Sequence, residues 1–208
     1  MRAFLLSLLA AMVGAGSAAA ADLTVDVKSA DGRPAVNAVV LVRPASGVGR
    51  AGPIRFPWPY VVSQQNIQFH PYVLIVPVGA EVTFPNKDTV RHHVYSFSAA
   101  KKFELKLYGH EEARTMRFDK AGVVALGCNI HDQMIAFIYV SDTPYAATTD
   151  GAGRAVLHDL PPGAAKLGVW HPDSKTPGGE VTRPIAVAGA AMSQAVTLDL
   201  RAVGATRH

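Results

Sequence analysis

Short apolar-rich runs fill most of this chain. LTVDVK (23–28), AVVLVR (38–43), YVLIVP (72–77), EVTF (81–84), HVYSF (93–97), FELKL (103–107), TMRF (115–118), VVAL (123–126), IAFIYV (135–140), AVLH (155–158) and KLGVW (166–170) are rich in β-branched residues. Turn formers such as DG, NKD, AG and PPG separate them. TRPIAVAGAAMSQAVTLDL, near the end, holds two more such runs. Beyond the first residues no stretch keeps a helical period for three turns. The pattern therefore predicts an all-β protein built from sandwiches or barrels.

The opening stretch is different. MRAFLLSLLAAMVGAGSAAAAD has a positive residue at Arg2, an apolar run from Ala3 to Gly16 and a small-residue site at Ala18-Ala19-Ala20. That is the order of a secretory signal peptide, with cleavage expected after Ala20. A membrane span needs about 20 unbroken apolar residues, and this run dissolves into Gly, Ser and Ala. No later segment is apolar enough to span, so the mature form is expected to be exported and not membrane-spanning. The alanine-rich style points to a bacterial periplasm.

Charge narrows the partners. The chain carries a formal +4, of which Arg2 would leave with the leader. Lys101-Lys102 is the longest basic run, which argues against nucleic acid and allows a modest preference for an acidic protein partner.

Cysteine usage changes the picture more. A single cysteine, Cys128, occurs in 208 residues. Exported proteins use cysteines in pairs, and an unprotected thiol there is an oxidation liability. Cys128 is therefore either buried and inert or bound to something. It lies in GCNIHDQM, three places before His131, which lies three places before Met134. A thiolate, imidazoles and a weak thioether are the donor set of a blue-copper electron-transfer site. Structural zinc is possible on paper, but it favours sulfur and imidazole without a thioether. A short loop between two strands can offer three donors, and a neighbouring strand must supply the fourth. Here that means His92 or His93, whose side chains point to opposite faces of a strand.

The middle of the chain resembles a cupredoxin, with amicyanin the nearest pattern. Val73, Leu74, Val76, Pro77, Gly79, Val82, Phe84, Asn86 and Asp88 lead to His92-His93-Val94, and Ala121-Gly122 precedes the strand ending at Cys128. The order RHHVYSFS…FDKAGVVALGCNIHDQM is also similar to exported amicyanin-like proteins labelled methylamine utilisation proteins. The resemblance implies one copper ion held by His92, Cys128, His131 and Met134, with His93 the alternative to His92. Asn86 matches the family's supporting shell, in which His93 (where the family carries Asn) and Asp132 (where amicyanin has Pro) are departures, Asp132 offering a hydrogen bond and negative charge beside the site. The resemblance implies an electron port at His131, with Ile130, Ile135 and Phe137 as candidates for an apolar partner patch. It also implies electron shuttling between a dehydrogenase and a haem protein such as a c-type cytochrome. Asn129 and Leu126 depart from the family pattern as well.

The two ends resemble the halves of a carboxypeptidase-regulatory-like, or transthyretin-like, β-sandwich. Gly32, Pro34, Ala38 and Val40 fit its opening, and Thr149, Asp150, Gly153, Leu157, Leu160, Pro161 and Gly163 fit its second part. The expected organisation is a signal peptide (1–20), an end sandwich in two pieces (21–46 and 146–202), a Pro-rich linker (47–66) and an inserted cupredoxin domain (67–145). One irregular sandwich of three consecutive pieces is the alternative. Among functions, a copper storage or delivery protein and a metal-free binding module rival the electron carrier. An enzyme comes last, because four protein ligands leave no open position for substrate.

Overall fold

Alternation is visible in the first strand, where Ala21, Leu23, Val25, Val27 and Ser29 are buried while their neighbours face outward. The computed structural model describes residues 20–48, 53–189 and 191–201. The expected signal peptide thus lies, apart from Ala20, outside the described residues. The strands are β1 (Ala21–Ser29), β2 (Val39–Pro44), β3 (Ser63–Gln64), β4 (Phe69–His70), β5 (Val73–Pro77), β6 (Ala80–Pro85), β7 (His92–Ser98) and β8 (Lys101–Tyr108). They continue as β9 (Ala113–Phe118), β10 (Gly122–Gly127), β11 (Ile135–Ser141), β12 (Ala146–Thr148), β13 (Arg154–Leu160), β14 (Gly163–Trp170), β15 (Glu180–Val187) and β16 (Met192–Leu198). No α-helix occurs among the described residues. The protein is all-β.

The ends of the chain build two facing sheets, β13-β1-β16 and β12-β2-β14-β15. Leu23, Val25, Val40, Val42, Leu157, Leu167, Val169 and Leu198 fill the space between them. Two turn residues hold the halves in register. Thr149 Oγ1 accepts from the Ala38 amide at 2.9 Å and donates to the Ala35 carbonyl at 2.6 Å. Gly153 has φ of 76°, and a Cβ there would lie 2.4 Å from the Val27 carbonyl oxygen. Only glycine fits that approach.

The central segment builds a five-stranded sheet, β5-β11-β10-β7-β8, beside the smaller ladders β6-β9 and β3-β4. Its core gathers Leu74, Val82, Phe84, Val94, Tyr108, Phe118, Val124, Leu126 and Ile138, and it includes Cys128 and Met134. Residues 61–64, read from sequence as linker, run alongside the β6 segment through parallel bridges at Val61–Thr83 and Gln64–Asn86. A third cluster joins the two sandwiches. Val39, Leu41 and Trp170 from one side pack against Val73, Ile75, Phe137 and Tyr139 from the other.

Candidate metal centre

β10 and β11 are antiparallel neighbours whose last pair is Gly127 with Ile135. The chain between them, 128–134, is the loop at one end of the five-stranded sheet. The Met134 amide donates to the His131 carbonyl at 3.0 Å, which folds the loop back and sets Cys128, His131 and Met134 at one end of the core. β7 pairs β10 on its other side and brings its first residue, His92, to the same place. His92, Val94 and Ser96 are buried on one face of β7, the consequence of the two-residue strand period.

The result is a cluster of donors. His92 Nδ1 lies 3.9 Å and His131 Nδ1 3.7 Å from Cys128 Sγ. The three donor atoms all lie within 4.8 Å of one another. The two imidazole rings meet at 61° with centroids 5.0 Å apart. His92, Cys128 and Met134 are 0%, 3% and 1% exposed, while His131 is half-buried. A soft sulfur, two imidazole nitrogens presented by the same ring atom and a buried thioether form a set suited to copper.

His93 turns the other way. Its Nε2 lies 2.8 Å from Glu104 Oε1 on β8, its ring packs near Tyr95, and its Nδ1 is buried without a hydrogen-bond partner. His93 is therefore not among the converging donors.

Behind His92 stands a carboxylate, Asp88, that the sequence placed in the motif leading to the histidine without giving it a role. His92 Nε2 is 2.8 Å from Asp88 Oδ2. Burial works against the charge on Asp88, but the Ile67 amide, the His92 ring and the Asn66 amide outweigh it and hold the carboxyl below its usual range. Asn86 braces this segment: its Nδ2 donates to the carbonyls of Val90 at 2.9 Å and Tyr108 at 3.1 Å. Its Oδ1 accepts from the Asp88 amide at 2.9 Å. An acid four residues before a candidate ligand was the signal in the sequence, legible only once a strand entry was known to follow it.

No family model and no curated protein matches the chain. Solved structures similar to part of the chain include a copper-containing nitrite reductase, a purple cupredoxin and amicyanin. The copper-containing nitrite reductase from Thermus scotoductus SA-01 is 29% identical, with 48% of this chain and 25% of that chain covered and a TM-score of 0.39. The match thus spans a quarter of the reductase. A purple cupredoxin from Nitrosopumilus maritimus is 22% identical over 39% of this chain and 98% of its own, with a TM-score of 0.36. A reduced tryptophan-to-tyrosine mutant of amicyanin is 22% identical over 50% of this chain and 99% of its own, with a TM-score of 0.37.

The surface around the loop differs in part from expectation. Ile130 is 51% and Ile135 36% exposed, so both are available at the surface near His131. Phe137 is not. It is 6% exposed and packs edge-on against Trp170 and Tyr72. Ile135, Phe137 and Tyr139 share one face of β11, and the four-stranded sheet covers the part of that face beyond Ile135. Phe137 instead lines a groove of about 520 Å³ with Tyr95, Phe97, Gly127, Cys128, Met134 and Ile135. Asp132 is exposed at the same groove, and its carboxylate contributes no hydrogen bond to the donor cluster.

Proposed function

We propose that this chain is an exported, copper-binding electron carrier with a cupredoxin-type centre. The observation that carries the proposal is the convergence of His92 Nδ1, His131 Nδ1 and Cys128 Sγ within 4.8 Å, with Met134 buried at the end of the same loop. His92, His131 and Cys128 would hold one copper ion, and Met134 would be its weak fourth donor. Bound there, copper supplies a one-electron couple. The protein's own part is to keep the donors fixed and dry. His92 enters from a strand interior, Cys128 and Met134 lie in the core, and only His131 reaches toward solvent. That arrangement favours electron passage over substrate binding, because four protein donors would leave no position open on the metal. His131, flanked by exposed Ile130, is the proposed crossing point toward redox proteins, a dehydrogenase on one side and a c-type cytochrome on the other. The sandwich made from residues 21–46 and 146–202 would serve as scaffold, with 67–145 the inserted copper domain. No helix among the described residues is long and apolar enough to cross a membrane. The leader-like start of the sequence supports a periplasmic setting.

The visible absorption spectrum of the Cu(II)-reconstituted protein tests this reading, recorded beside His92→Ala, His93→Ala and Cys128→Ala. The expected result is an intense thiolate-to-copper band that bleaches with reductant and survives in His93→Ala. It should vanish in the other two variants. A folded native protein with no such band would end the electron-carrier reading.

A further inference from the structure

His92 is held from behind by a short chain of contacts that ends in the main chain of a separate hairpin. Its Nε2 meets Asp88 Oδ2 at 2.8 Å. The same carboxylate accepts the Asn66 amide on Oδ1 at 2.6 Å and the Ile67 amide on Oδ2 at 2.9 Å. Asn66 and Ile67 both have φ of 56°. A β-branched residue such as Ile67 enters that region only under constraint, and constrained backbone of this kind clusters at functional sites. The turn is closed by reciprocal main-chain bonds, Gln65 N to Gln68 O at 2.9 Å and Gln68 N to Gln65 O at 3.2 Å. It is tied to the Asp88 segment by Lys87 N to Gln64 O at 2.8 Å.

We infer that Asp88 is the positioning residue for His92, and that the Gln65–Gln68 turn serves as the clamp that orients Asp88. An ionised carboxylate only accepts, so the His92 proton sits on Nε2 and the Nδ1 lone pair faces Cys128 and His131. The ring is thereby fixed in rotation and in tautomer before any metal arrives. The two amides engage both carboxylate oxygens and stop the carboxylate from turning away. With copper in place, the negative charge behind His92 favours the more highly charged oxidation state and lowers the reduction potential. The effect on copper rests on the function proposed above; the tautomer does not.

The test uses the full chain. Nitrogen NMR of the metal-free protein reads the His92 tautomer, and copper titration and voltammetry read affinity and potential. The native protein is expected to hold His92 in a single Nε2–H form. Asp88→Ala should mix the two tautomers and weaken copper binding by about 10–100-fold. Asp88→Asn keeps the shape, removes the charge and should raise the potential, which serves if Asp88→Ala does not fold. Ile67→Gly retains the amide and the backbone region, so tautomer and affinity should stay native. An Nδ1–H tautomer in the native protein would overturn the inference, as would unchanged affinity and potential in both Asp88 variants. A loss in Ile67→Gly equal to that in Asp88→Ala would also overturn it, by tracing the effect to the turn's side chain. Should the native protein bind no copper, the proposed function fails while the tautomer alone still decides this inference.

Discussion

Tyr108 illustrates how much a single buried polar residue does here. It is fully buried beneath the Asp88 segment, donates to the Phe84 carbonyl at 2.9 Å and accepts from Gln64 Nε2. Burial, above all, pushes its hydroxyl up to about 12. The unfolded chain would release that proton near the ordinary value of about 10. Below that pH both states hold the proton and the stabilisation is intact. Between about pH 10 and 12 the unfolded state loses protons first, so stability falls as pH rises. Urea unfolding measured across this window should show a shallower decline in Tyr108→Phe than in the native protein. At neutral pH the same variant should be less stable by about 1–3 kcal/mol, since Gln64 and Phe84 lose a partner. The choice between His92 and His93 belongs to the same scale. Both are buried, and nothing in their order tells which face of β7 meets the cysteine loop. The strand period says that they diverge, and only the register of β7 on β10 says which converges.

At the scale of elements, the longer β-branched runs were legible and the shortest strands were not. Each run of four or more residues read as a strand lies within or nearly coincides with an observed one, from β1 to β16. β3, β4 and β12 have two or three residues each. A period of two needs more positions than that to show itself, and their pairing comes from tertiary neighbours. β3 and β4 nevertheless carry the turn that grips Asp88, which is why the support of the candidate site was the least legible part of it. Glycine punctuation was more informative. Gly153, singled out by its spacing after Thr149-Asp150, lies where any Cβ would strike the Val27 carbonyl. Gly153→Ala should cost more than about 1 kcal/mol, because strain in the folded state exceeds the entropy gained in the unfolded one. The cost should appear as a lowered urea midpoint with an unchanged slope, and the donor cluster should keep its spectrum.

For the whole molecule, the contact between sandwiches is the feature with the largest mechanical consequence. Trp170 packs against Phe137 and Tyr139 with ring centroids 5.5 and 5.8 Å away. Beside it Arg43 reaches Asp142 at 2.9 Å and Glu180 at 2.9 Å, while the Tyr139 hydroxyl donates to Glu180 at 2.7 Å. Apolar core and ion network together make the five-stranded sheet and the four-stranded sheet a continuous unit through β11. Trp170→Ala should cost about 3–5 kcal/mol, and chemical denaturation should then separate into two transitions, with the amide-exchange protection of the end sandwich lost first. A single transition of native midpoint would show that the contact is not what couples the two halves.

The sequence by itself determined the strand class, through short β-branched runs set between turn formers that leave no room for a helix, and the donor loop, because Cys128, His131 and Met134 are close in the chain and any hairpin end keeps them together. It also carried the turn chemistry of the two end pieces, where glycine and threonine answer local demands. Tertiary structure alone decided the rest. It brought His92, the histidine the resemblance favoured, rather than His93 beside Cys128 and His131, since the face of a strand is set by what it pairs with. It set Asp88 and the 66–67 amides behind that ring, a contact between segments whose order in the chain says nothing of their distance. It removed Phe137 from the surface, because exposure on a sheet depends on which other sheet lies across it.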